Sequence, residues 1–125
     1  MKTVLIVDDE QIVLDVLRRI LSKFGYDTVA ADSGELALER FSREAFDLVL
    51  MDVLMPDMKG FRIGREMRRI RPDQKIVMMT GICKNTVEAQ ANLEDIDVDN
   101  VLLKPFSFEK VKSVLKEVLD GGEAF

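Results

Sequence analysis

Five short apolar runs limit what this chain can become. They lie at residues 3–7, 26–31, 48–51, 75–79 and 100–103. Apolar runs this short, bounded by turn residues, fit buried strands. The segments between them carry helical spacing instead. Over 10–24, apolar residues recur at 12, 13, 16, 17, 20, 21 and 24, which predicts a helix with a single buried face. Gly25 can take the left-handed conformation that stops it. Ser33 offers an oxygen to cap a helix over 34–43, with Leu38 and Phe41 among its apolar positions. Gly60 opens a helix to Ile70, with Phe61, Ile63, Met67 and Ile70 expected inward. Pro72 disfavours helical geometry at Arg71 and ends it. A weak helix over 85–93 has a thin apolar face of Val87 and Ala91. Ser107 caps the last helix, whose apolar residues run from Phe108 to Leu119. Strand and helix alternate five times with short connections, so the expected fold is α/β: a parallel sheet covered by helices on both faces.

In such a sheet the carboxyl ends of the strands share one edge, where ligands bind. The first run ends in Asp8-Asp9, the third in Asp52, the fourth in Thr80 and the fifth in Lys104. Carboxylates brought together repel unless a cation offsets them. A divalent ion held by one or two carboxylates, a carbonyl and waters is Mg²⁺ chemistry. With a metal and a lysine withdrawing charge, Asp52 can attack phosphorus to give an acyl phosphate. Thr80 can then donate a hydrogen bond to the new phosphoryl oxygens.

Composition removes the competing chemistries. The chain has no histidine and one cysteine, Cys83. Ser-His-Asp and Cys-His catalysis and the usual zinc sites are therefore excluded. A lone cysteine excludes an internal disulfide and fits a reducing cytoplasm. A net charge of -5 argues against direct nucleic-acid binding or attachment to an anionic membrane. No apolar run approaches the ~20 residues of a membrane span, and no signal-peptide layout is present. The expected location is cytoplasmic.

The strand-end motifs resemble those of the receiver domains of two-component response regulators, the CheY-like superfamily. They are Val7-Asp8-Asp9-Glu10, Met51-Asp52 through Met55-Pro56 to Gly60, Thr80-Gly81, and Lys104-Pro105-Phe106. Each alone is a weak signal; all four, in order, at strand ends are specific. The match covers residues 1–120, leaving 121–125 as a flexible tail. The resemblance implies a flavodoxin-like doubly wound (βα)5 three-layer sandwich with strand order 2-1-3-4-5. It implies that Asp52 accepts a phosphoryl group from a sensor histidine kinase or phosphotransfer protein. It further implies that Asp9 and Asp52 bind Mg²⁺ directly, Asp8 through water, and Leu54 through its carbonyl. Lys104 would pair with the phosphoryl group, Thr80 would move toward it, and the Lys104-Pro105 bond would be cis. The output is a downstream partner or output domain, through a surface that can also form a homodimer.

The chain departs from the family at several points. Val101 stands where the aromatic switch residue usually lies, and Asp97-Val98 replaces a common Gly-Ala pair. The stretch from Thr80 to Lys104 looks longer than usual. Leu54 and Ile82, two residues past Asp52 and Thr80, are apolar and cannot orient the hydrolytic water. Slow self-dephosphorylation is therefore expected. Decay of the phosphoprotein as fast as in receivers with polar residues at both positions would refute this.

Two rival classes share parts of this pattern. A phosphohydrolase of the haloacid-dehalogenase type needs a second acid two residues after its nucleophile, where this chain has Leu54. A degenerate receiver that binds partners without phosphorylation is opposed by the intact acids, Thr80 and Lys104. Ordinary readings also exist for single features. Asp8-Asp9 suits a helix N-terminus, Asp52 suits a turn, and the arginines at 62, 65, 68, 69 and 71 suit a solvated face paired with acids.

Overall fold

The computed structural model describes residues 2–53, 60–81 and 99–119. The elements are β1 (Thr3–Val7), α1 (Gln11–Lys23), β2 (Asp27–Ala31), α2 (Gly34–Arg43), β3 (Leu48–Asp52), α3 (Gly60–Ile70), β4 (Ile76–Thr80), β5 (Asn100–Leu103) and α4 (Phe108–Leu119). The helix expected over 85–93, the positions Leu54, Ile82 and Cys83, and the 121–125 tail lie outside the described residues.

The strands form one parallel sheet of order β2-β1-β3-β4-β5. Because side chains alternate across a strand, each strand feeds two cores. Leu5, Val7, Val49, Met51, Ile76, Met78 and Val101 pack with Ala37 and Phe41 of α2 and with Phe61, Ile63 and Met67 of α3. Val4, Ile6, Leu48, Leu50, Val77, Met79 and Leu102 pack with Leu14, Leu17 and Leu21 of α1 and with Val111, Val114, Leu115 and Val118 of α4. The doubly wound architecture therefore stands as expected.

Local signals act where the sequence placed them. Gly25 has φ +84° and ends α1. The Ser33 hydroxyl accepts the Leu36 N–H at 3.2 Å, and the Ser107 hydroxyl accepts the Lys110 N–H at 3.1 Å.

Two expectations about burial are corrected. Ile70 does not face inward; it is 49% exposed. It closes the last turn of α3, past the sheet contact made by Ile63 and Met67. Nor does α1 have the single buried face assigned to it. Ile12 and Val16 are 71% and 43% exposed, while Leu14, absent from that pattern, is buried with Leu17 and Leu21. The apolar stripe of α1 is wider than the strip of sheet it covers, so one edge stays in water. The arginine face is also only partly solvated. The Arg71 guanidinium stacks on the Phe41 ring at 4.1 Å and donates to the carbonyls of Phe41 and Glu44. It thus neutralises the carbonyl end of α2.

Candidate functional site

The parallel register brings the candidate residues to one edge. Val7 is level with Met51, Asp52 with Met79, and Thr80 with Leu103. Asp8 and Lys104 each follow directly on a strand end. Asp8, Asp52 and Lys104 also continue the parity of the residues that pack on α1 and α4, whereas Thr80 continues the parity of Ile76 and Met78. The three charged groups are therefore aimed to one side of the sheet. The Lys104 Nζ lies 2.7 Å from Asp8 Oδ2, 3.6 Å from Glu10 Oε1 and 3.7 Å from Asp52 Oδ1.

Each carboxylate has a different setting. Asp8 is fully buried. Its Oδ1 accepts the Glu10 N–H at 2.9 Å and its Oδ2 accepts from Lys104. Asp52 is nearly buried at 6% exposure, and Asp9 is exposed. Oxygens of Asp8, Asp9 and Asp52 all lie within 4.8 Å of one another. An all-oxygen cluster of this kind suits a hard divalent cation such as Mg²⁺, and does not suit zinc or copper.

Lys104 supplies the offsetting charge. Burial alone would lower its pKa. The hydrogen bond it donates to Asp8 and the charges of Asp52, Asp8 and Glu10 outweigh burial and hold the ammonium above its ordinary value. It is a permanent cation at the site.

The backbone holds these groups in place. Val53 N–H donates to the Met79 carbonyl and extends the β3–β4 ladder past Asp52. Gly60 N–H donates to the Val53 carbonyl at 2.8 Å, closing the loop that leaves Asp52. Gly60 approaches the Asp52 backbone so closely that a Cβ there would overlap the Asp52 carbonyl oxygen. Lys104 N–H donates to the Thr80 carbonyl at 2.6 Å, and the Lys104-Pro105 bond is cis, as the resemblance implied.

Thr80 is buried at the end of β4, one strand from Asp52. Val101 is buried opposite Met78 in the α2/α3 core. Pro105 is exposed and lines an open apolar groove of about 350 Å³ with Ile12, Val13, Val16 and Phe106. Leu54 lies outside the described residues. Glu10 was read only as part of an acidic motif, and its closeness to Lys104 carries no sequence signal, because the two meet only through the fold.

A five-stranded doubly wound sheet with three acids and a lysine at its carboxyl edge defines a phosphoacceptor switch domain. The model of the response regulator receiver domain matches residues 4–116, and the chain belongs to that family. It is 33% identical over 116 residues to a probable transcriptional regulator ycf27 of Porphyridium aerugineum, covering 93% of this chain and 47% of that protein. The chain thus spans about half the length of this curated relative. Among solved structures, chemotaxis protein CheY4 of Vibrio cholerae superposes with a TM-score of 0.88 at 28% identity, covering 95% of this chain and 99% of that one. Response regulator protein TrrA of Thermotoga maritima, solved in complex with Mg²⁺-BeF, gives a TM-score of 0.84 at 31% identity over 95% and 100% of the two chains. Receiver domains have the phosphoryl-acceptor role in two-component systems and bind Mg²⁺ at an acidic pocket. They work with histidine kinases or phosphotransfer proteins and with output domains. No helix among the described residues is long and apolar enough to cross a membrane.

Proposed function

We propose that Asp52 accepts a phosphoryl group from the phosphohistidine of a sensor kinase or phosphotransfer protein, and that residues 1–120 then switch conformation to control a downstream partner. The observation that carries this reading is the convergence of Lys104 with Asp52 beside Asp8 and Asp9 at one sheet edge. Asp52 is favoured as the nucleophile over its neighbours. Both oxygens of Asp8 are engaged within a fully buried site, and Asp9 stands exposed on the loop after β1.

In the transfer, an Asp52 carboxylate oxygen forms a bond to phosphorus. The donor's P–N bond breaks and its electron pair returns to the imidazole nitrogen. Mg²⁺, when bound, draws charge from the phosphoryl oxygens. Asp9 and Asp52 would hold it directly, Asp8 through water and Leu54 through its carbonyl. Lys104 meets the phosphoryl group from the other side, and Thr80 moves toward it. The resulting shift between existing states reshapes the output surface.

No turnover of outside substrates is assigned; the chemistry ends in hydrolysis of the domain's own acyl phosphate. The net charge of -5 favours a protein partner over nucleic acid or an anionic membrane, and the lone cysteine fits a cytoplasmic location. A homodimer is one form the output surface can take, and 121–125 is read as a tail. The groove of Ile12, Val16, Pro105 and Phe106 opens beside Lys104 and supports docking of the donor protein there.

The test is intact-protein mass after incubation with acetyl phosphate and, separately, a phosphohistidine protein, each with and without Mg²⁺. Wild type gains one Mg²⁺-dependent phosphoryl group and Asp52→Asn gains none. Ile12→Asp keeps the gain from acetyl phosphate and loses most of the gain from the protein donor. A gain that persists in Asp52→Asn refutes the assignment.

A further inference from the structure

Among the described residues, Glu10 is the one charged group beside Lys104 that the proposed chemistry leaves without a role. It precedes α1, where its side chain makes no capping bond. Glutamate is a poor choice there, since caps are normally Ser, Thr, Asp or Asn. Its Oε1 instead lies 3.6 Å from the Lys104 Nζ. Its backbone N–H donates to Asp8, the carboxylate that holds Lys104 most closely. Glu10 also lines the apolar groove together with Lys104. It therefore sits at the mouth of the site, between the groove and the acids. It lies outside the Asp8, Asp9 and Asp52 cluster that would take the metal.

We infer that Glu10 is a positioning and specificity residue: it helps hold Lys104 toward Asp8 and places a negative charge at the mouth, which disfavours small, multiply charged phosphodonors. The inference rests on the reading of Asp52 as acceptor. Two effects act in the same direction. Lys104 must turn toward an incoming phosphoryl group, and Glu10 opposes the turn. A free anionic donor must also pass a carboxylate that is 59% exposed on its side chain. A donor carried on a docked protein gains contacts in the groove that offset this repulsion, whereas a small free phosphodonor has none.

The test compares wild type, Glu10→Gln and Glu10→Asp at saturating Mg²⁺. Initial phosphorylation rates are measured across a range of acetyl phosphate, a near-dianion at neutral pH, and of phosphoramidate, a monoanion. Both series are run at low and high salt, and the Mg²⁺ Kd is measured separately by calorimetry. Glu10→Gln is expected to react about two- to fivefold faster with acetyl phosphate at low salt, and by less with phosphoramidate. At roughly 0.5 M salt the difference should largely vanish, because the Debye length falls below the size of the site mouth. Glu10→Asp should stay close to wild type, and the Mg²⁺ Kd should hold within about twofold, since surface charge effects are small. Unchanged rates, or equal acceleration with both donors at any salt, would overturn the inference. So would a tenfold change in Mg²⁺ Kd, which would make Glu10 part of the metal site. If wild type gains no phosphoryl group from either donor, the Asp52 reading fails instead.

Discussion

Gly60→Ala is expected to cost on the order of 3 kcal/mol of stability and to cut phosphoryl acceptance, although it adds a single methyl group. The added Cβ would overlap the Asp52 carbonyl oxygen and stand 3.0 Å from both the Asp52 carbonyl carbon and Met51 Cγ. A side-chain tip could swing away, but here the obstacle is the backbone of the central strand. β3 is paired to β1 on one side and β4 on the other, so it cannot retreat without breaking a ladder. The alternative is to move α3, which would draw Phe61, Ile63 and Met67 out of the core. Either route displaces Asp52, whose distance to Lys104 sets the site. Urea titration checks this as a lower midpoint with an unchanged slope. Gly81→Ala is the control: a Cβ there meets none of the described residues within 4 Å, so its midpoint should barely move. A Gly60→Ala midpoint equal to that of Gly81→Ala would show that the contact relaxes freely.

The same glycine shows what the sequence can and cannot convey. Its place after Asp52 and Pro56 marked the start of a helix, but not that α3 begins against the backbone of Asp52. Apolar runs ending in Asp8, Asp52, Thr80 and Lys104 carry strong local information, because a buried strand needs apolar residues and its exit does not. The topology followed, since short connections in alternating elements leave few choices. The width of a buried face is different. It depends on the shape of the partner surface, which no local pattern encodes. Ile12, Val16 and Ile70 therefore looked like core and stand in water, while Leu14 was overlooked. Contacts across the chain were equally hidden. Lys104 was assigned to the phosphoryl group, yet among the described residues its nearest carboxylate is Asp8, 96 positions earlier. Which acid a lysine prefers among three depends on distances of about an ångström, and these are set by packing.

That preference leads to the second large effect. Lys104→Met should destabilise the metal-free domain by about 2 kcal/mol and, at the same time, tighten its hold on Mg²⁺. Methionine keeps most of the stem volume and removes only the charge. Asp8, fully buried, would then lose the ammonium at 2.7 Å and keep one hydrogen bond, from the Glu10 N–H. Asp52 would lose its cation at 3.7 Å. Leaving a buried carboxylate without its partner is costly, and the mutual repulsion of three acids within 4.8 Å adds to it. The partial exposure of Lys104 keeps the loss below that of a fully buried pair, since water screens part of the charge. Mg²⁺ reverses the balance. In wild type the metal must share Asp8 and Asp52 with Lys104; in the variant that competing cation is gone. Thermal unfolding in EDTA should place the variant several degrees below wild type, and a Mg²⁺ titration should close much of the gap through binding to the folded state alone. Calorimetry should show a lower Kd for Mg²⁺ in the variant. A weaker Mg²⁺ affinity, or a gap that Mg²⁺ leaves untouched, would mean that Lys104 positions the carboxylates for the metal rather than competing with it for their charge.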